Sequence, residues 1–193
     1  MMEITMSRNI ALLATLLVAS SFNAQAVTTR VGGFVGVKNM EDDSVWKPFE
    51  EQLELGATVD FQPDNWPVSI ATGVYWSADA RDEQDSDLSY EENNGTTTEM
   101  LLGLKRSWTF YGTSLRPYYV AGLAYISGER VEFGNKQKDS KLGYWLGTGV
   151  YWSFTRHFDI GIDARYSRAE ADFSGMEVDL GGTHFGLTLG YSW

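Results

Sequence analysis

The sequence predicts an all-β fold: an eight-stranded antiparallel transmembrane β-barrel, an up-and-down meander, that follows an N-terminal signal peptide. Three observations predict it. Apolar and polar residues alternate with a period of two in eight separate stretches. Most of these stretches approach the ~9–11 residues that a tilted strand needs to cross a bilayer, where strands of soluble proteins run nearer ~5–6. The chain also opens on a segment built like an export signal.

The leader comes first. Residues 1–9 are polar and hold one cation, Arg8, and residues 10–19 are an unbroken apolar run. Ala24-Gln25-Ala26 then supplies the small–x–small pattern of a cleavage site. The expected division is a signal peptide at 1–26 and a barrel domain at 27–193. The alternative, an anchoring helix, needs about twice that apolar length. Met6-Ser7-Arg8 offers a second start. The chain has no cysteine, which excludes disulfides, thiol catalysis, thiolate metal sites and a lipid-anchored cysteine after the leader. The net charge of −11 argues against nucleic acid as a partner. An aromatic content of 14% with 20 glycines does not suit a disordered acidic chain.

After the leader no apolar run is long enough for a transmembrane helix. The alternating stretches are 30–38, 52–62, 67–78, 97–107, 116–127, 142–153, 157–169 and 182–193. Between them, long connections (39–51, 79–96, 128–141, 170–181) take turns with short ones (63–66, 108–115, 154–156). Bacterial outer-membrane barrels connect their strands in this way, with short turns on the periplasmic side and long loops outside. Both termini are then periplasmic.

The last stretch separates its two faces most clearly. Thr183, Phe185, Leu187, Leu189, Tyr191 and Trp193 share one face, and His184, Gly186, Thr188, Gly190 and Ser192 the other. In the seventh, Phe158, Ile160 and Ile162 alternate with Asp159, Asp163 and Arg165. A face charged so often cannot meet hydrocarbon, since a midplane cation costs about 2–4 kcal/mol. The apolar set is therefore assigned to lipid. The same reasoning turns Leu53, Leu55, Val74, Trp76, Met100, Leu102, Leu104, Tyr119, Leu123, Tyr125, Tyr144, Leu146, Val150 and Trp152 outward. Aromatics then collect at two heights, Trp108, Phe110, Tyr119, Trp152, Phe158, Tyr191 and Trp193 at one end and Trp76, Tyr125, Tyr144, Tyr166 and Phe185 at the other, as girdles at the two interfaces do. A soluble barrel would reverse the faces. Strand length and the leader favour the membrane orientation.

The interior set expected from this assignment is Arg30, Lys38, Lys105, Arg116 and Arg165 with Glu54, Asp60, Glu99, Asp159 and Asp163. Eight strands enclose a lumen just wide enough for side chains to fill. Unpaired charge there is costly, so a paired, hydrogen-bonded network that supports the barrel is expected. A low-conductance pore gated by exchange of ion pairs is the second reading. The third is a lipid-modifying enzyme. It would need a serine and its base, and the chain has only His157 and His184, with Ser77 or Ser167 able to approach His184. No catalytic residue and no cofactor are assigned on the sequence.

In the second long connection, Asp79, Asp82, Glu83, Asp85 and Asp87 are candidate oxygen ligands for a divalent cation. The bland reading is a solvated acidic loop. Lys136, Lys138 and Lys141 in the third can meet lipopolysaccharide phosphate as point charges.

On these residues the chain resembles the small eight-stranded outer-membrane barrels of the OmpA/OmpX type over the whole region after the leader. The final strand carries the most specific part of the likeness. Phe185, Leu187, Leu189, Tyr191 and Trp193 are similar to the carboxy-terminal signal read by the barrel-assembly machinery, with Trp193 where Phe is usual. Pro117-Tyr118-Tyr119-Val120-Ala121-Gly122 also resembles the fifth-strand region of such proteins. The resemblance implies residence in the cell outer membrane as a monomer among outer-membrane lipid and lipopolysaccharide, with a structural or surface-interaction role, no enzymatic activity and an external ligand still to be named.

Overall fold

The computed structural model describes residues 27–40, 51–79, 94–132, 135–173 and 176–193. The signal-peptide region lies outside them, as does most of the two acidic connections. Ten strands follow in order: β1 (Val27–Asn39), β2 (Glu51–Pro63), β3 (Ser69–Asp79), β4 (Asn94–Ser107), β5 (Leu115–Glu132), β6 (Asn135–Ser153), β7 (Phe158–Arg168), β8 (Glu170–Phe173), β9 (Met176–Asp179) and β10 (Gly182–Ser192). Eight of them close a barrel in the order β1-β10-β7-β6-β5-β4-β3-β2, every neighbour antiparallel. The first and last strands meet over ten register pairs, from Arg30↔Ser192 to Asn39↔Thr183. Closure leaves no open edge in the wall.

Alternation decides which side chains the barrel encloses. Along β10 the pattern of buried and exposed residues switches at every step, with His184, Gly186, Thr188 and Gly190 buried and Phe185, Leu187 and Leu189 exposed. Leu53, Leu55, Leu102, Leu104, Leu123, Leu146, Ile160 and Ile162 are each at least 41% exposed on the outside. An apolar exterior of that extent is the surface of a lipid-facing barrel.

Three expectations about the connections are corrected. Residues 128–132 and 135–141 do not form a loop. The β5–β6 ladder continues through Gly128↔Asp139 and Glu129↔Lys138 to Glu132↔Asn135. Charge ends the part of a strand that can face lipid, but it does not end a ladder, which needs only paired backbone N–H and C=O groups. Residues 170–181 likewise contain the β8–β9 hairpin. β4 starts at Asn94, three residues earlier than expected, because it follows β5 up the same extension, with Asn94 opposite Val131.

At the end away from the termini, the return from β9 crosses the mouth of the barrel. Leu180 is wholly buried, alongside Met40, Ile126 and Ala169. Its N–H donates to the Ala169 carbonyl, and Asp179 Oδ1 accepts from the N–H groups of Ala169 and Gly181. Gly181 lies so close to β7 that a Cβ would sit 2.0 Å from the Ser167 carbonyl oxygen, so a side chain there would push the segment off the strand.

Candidate functional site

The chemistry-bearing side chains lie inside the barrel in two polar tiers separated by an aromatic layer. The upper tier is built from strands that start or end at the mouth. Lys38 from β1 donates to Glu99 Oε1 at 2.6 Å, to Thr97 Oγ1 at 3.0 Å and to the Leu180 carbonyl at 2.9 Å. Arg165 from β7 donates to both oxygens of Glu54 from β2, at 2.8 and 2.9 Å. His184 from β10 sits between the two acids, with Nδ1 3.0 Å from Glu54 and Nε2 3.0 Å from the Ser167 hydroxyl. Ser77, Gln52 and Thr97 complete it through hydroxyl and amide contacts.

The lower tier surrounds Asp159 and Asp60. Arg30 donates to Asp159 at 2.7 Å and Arg116 to the same carboxylate at 2.9 Å. Lys105 holds Asp60 with oxygens at 2.7 and 2.9 Å, and Arg30 is 3.9 Å from Asp60. The expectation that every acid meets a cation needs correcting at Asp163, which accepts from the Tyr118 hydroxyl instead. Tyr118 stacks on Tyr151 at 4.5 Å, and Arg30 lies 4.0 Å from the Tyr151 ring centre. The negative face of the Tyr151 ring attracts the Arg30 guanidinium.

Between the tiers, Phe34, Tyr75, Leu101, Val120 and Trp145 fill the cross-section. Phe34 and Tyr75 meet edge to face at 5.5 Å. The Arg165 guanidinium lies 3.5 Å from the centre of the Tyr75 ring. The cavity beside Tyr75 has about 20 Å³, room for about one water.

Sequence reasoning did not single out Gln52, Thr97, Tyr118 or the Leu180 carbonyl as partners. Gln52, Thr97 and Tyr118 occupy inward positions of their strands, so period two could have found them. Leu180 belongs to no strand and left no such signal. Of the cation-ligand candidates, Asp79 ends β3 opposite Gln52, and Asp82, Glu83, Asp85 and Asp87 lie outside the described residues. Phe185, Leu187, Leu189, Tyr191 and Trp193 line the outer face of β10 and the residue after it. The end of that strand is tied down on both sides: Trp193 exchanges two backbone hydrogen bonds with Thr29, at 3.0 and 3.1 Å, and the Ser192 N–H donates to the His157 carbonyl at 2.7 Å.

Two chemical capacities of the upper tier can be weighed. Glu54, Glu99 and His184 offer ligand atoms within 4.8 Å of one another. Arg165 and Lys38 already sit on the two carboxylates, so a metal ion would enter a cluster whose negative charge is neutralised. Ser167, His184 and Glu54 also stand in the order of a nucleophile, a base and an orienting acid. Ser167 is wholly buried and within 3.2 Å of Glu99, and a nucleophile needs a face open to its substrate.

Comparison with known proteins agrees with this architecture. Neisserial surface protein A superposes with a TM-score of 0.64 at 8% identity, over 86% of this chain and 97% of that one. OprG of Pseudomonas aeruginosa gives 0.55 at 14% identity, over 88% and 96%. Ail, the attachment invasion locus protein of Yersinia pestis, gives 0.53 at 14% identity, over 88% and 99%. At these identities the likeness is one of fold. No curated protein matches the sequence. Residues 10–193 match the family described as outer membrane protein beta-barrel domain, and the chain belongs to it.

Proposed function

We propose that this outer-membrane barrel acts through its exposed loops and hairpins, as a structural or surface-interaction protein, and not by conducting solutes. One observation carries the reading: where Phe34, Tyr75, Leu101 and Trp145 cross the barrel, the cavity left beside Tyr75 is about 20 Å³. Charges that could line a pore are consumed in pairs, such as Lys38 with Glu99 and Arg165 with Glu54. In this reading the termini and the short turns at 64–68, 108–114 and 154–157 face the periplasm. The long connections and the β5–β6 and β8–β9 hairpins face outside, where the acidic stretches at 41–51 and 79–92 stay solvated or take up divalent cations weakly. The β10 face ending at Trp193 serves the assembly machinery during biogenesis.

Two measurements on one preparation test this. Protease added to intact cells is expected to cut within 80–93 and leave the barrel whole, and purified protein in planar bilayers is expected to give no regular current steps. Large, regular steps would replace the reading with that of a small pore. Altered lipid A in cells that overproduce the chain would replace it with that of a lipid-modifying enzyme.

A further inference from the structure

The outer wall is not uniformly studded with large side chains. On β6, β7 and β10 the register sets Thr148 beside Ala164 and Ala164 beside Phe185, with Leu146, Tyr166 and Thr183 in the next row toward the mouth. Two small residues between larger ones leave a groove of about 540 Å³, which extends across β10 to Asn39 at the end of β1.

The groove is graded in polarity. The Thr148 hydroxyl donates into the sheet, to the Tyr118 carbonyl at 2.9 Å. Its methyl group therefore joins Ala164 as an apolar floor, flanked by Leu146, Tyr166 and Phe185. At the rim, Thr183 and Asn39 are exposed and stand side by side. The surrounding wall is exposed Leu, Ile and Val. Against such a wall the neighbour is hydrocarbon, and the dispersion attraction missing over a void is restored by whatever fits it.

We propose that this groove seats one acyl chain of a membrane lipid, with the chain over Thr148 and Ala164 and the lipid's polar end at Thr183 and Asn39. The assignment rests on the outer-membrane reading and adds to it a lipid held at one place on the wall. The grading selects an amphiphile: an acyl chain covers Thr148 and Ala164 below the aromatic belt while a polar end meets Thr183 and Asn39 at its outer edge, and a soluble peptide cannot reach the floor through the bilayer.

The test uses the full chain in vesicles of phosphatidylethanolamine and phosphatidylglycerol, released into mild detergent and weighed by native mass spectrometry. The wild type is expected to retain one lipid. Ala164→Trp, which fills the floor, is expected to lower that retention about tenfold. Thr148→Phe does the same from the adjoining strand and serves if Ala164→Trp does not fold. Val74→Trp, on the opposite strand β3, is expected to retain the lipid as the wild type does. Equal retention in the floor variants, or equal loss in Val74→Trp, overturns the proposal. So does a wild-type dimer that the floor variants dissociate, because the occupant is then a second copy of the chain. Flotation with the vesicles and heat-modifiable gel mobility are read on every sample. Failure of the wild type to float overturns the membrane reading and the proposal with it, whereas the other adverse results overturn the proposal alone.

Discussion

Glu54 shows how single side chains are committed inside this barrel. It is wholly buried, and its two oxygens accept from Arg165 at 2.8 and 2.9 Å while His184 Nδ1 lies 3.0 Å away. Removing one partner of a buried pair leaves the other charge without compensation, at a cost of about 3–5 kcal/mol. Glu54→Gln should therefore destabilise the vesicle-inserted barrel by that much in urea unfolding. Arg168, at the exposed rim beside Glu170, should leave the midpoint unmoved when changed to Ala, since water and salt screen such pairs. Tyr75 is a different kind of commitment, a large ring under the Arg165 guanidinium and against Phe34. Tyr75→Ala should cost about 3–5 kcal/mol, the usual range for truncating a buried aromatic, in the same unfolding measurement. If Glu54→Gln and Arg168→Ala shift the midpoint alike, the interior pairs are not the strong ones.

The strand is the scale at which depth in the membrane matters. Leu187 is 52% exposed, midway along β10 and paired with Ile162 and Val35 in a wholly apolar row. Leu187→Arg should lose about 2–4 kcal/mol of folding free energy, while Leu142→Arg, where β6 rises toward the ladder extension, should lose about 0–1 kcal/mol. Equal losses would place both residues at one depth and contradict the orientation. The same strand explains what sequence could and could not reveal. Period two along β10 separates Leu187 from Thr188 without any knowledge of a partner, because a one-residue slip would move every side chain to the other face. It says nothing of where a ladder ends once the apolar alternation stops, so Glu129 and Lys138 read as loop although they stand opposite each other in β5 and β6. Nor does it say which charge meets which. Lys38 and Glu99 come from strands three apart around the wall, and their meeting depends on the tilt and width of the closed barrel, which no local pattern records. For the same reason Asp163, expected to meet a cation, meets Tyr118 instead.

At the scale of the whole molecule the three interior layers block the lumen in series. Ions crossing the barrel must pass Leu180 and the Lys38–Glu99 pair, then Tyr75 with Trp145, then the Arg30–Asp159 and Lys105–Asp60 pairs. Leu180, Lys38 and Glu99 are wholly buried, and the space beside Tyr75 holds about one water. Obstacles in series are governed by the tightest that remains. Tyr75→Ala alone should therefore stay silent in planar bilayers, although it destabilises the barrel. A second truncation at Leu180 should also stay silent, because the lower pairs still close the other end. Only when Tyr151 is also changed to Ala, removing the ring that carries Arg30 and stacks on Tyr118, has a large side chain been taken from every layer, and discrete current steps then become the expected result. Steps from Tyr75→Ala by itself would mean that the charged tiers are permeable as they stand, and the barrel would then have to be regarded as a pore closed by one ring.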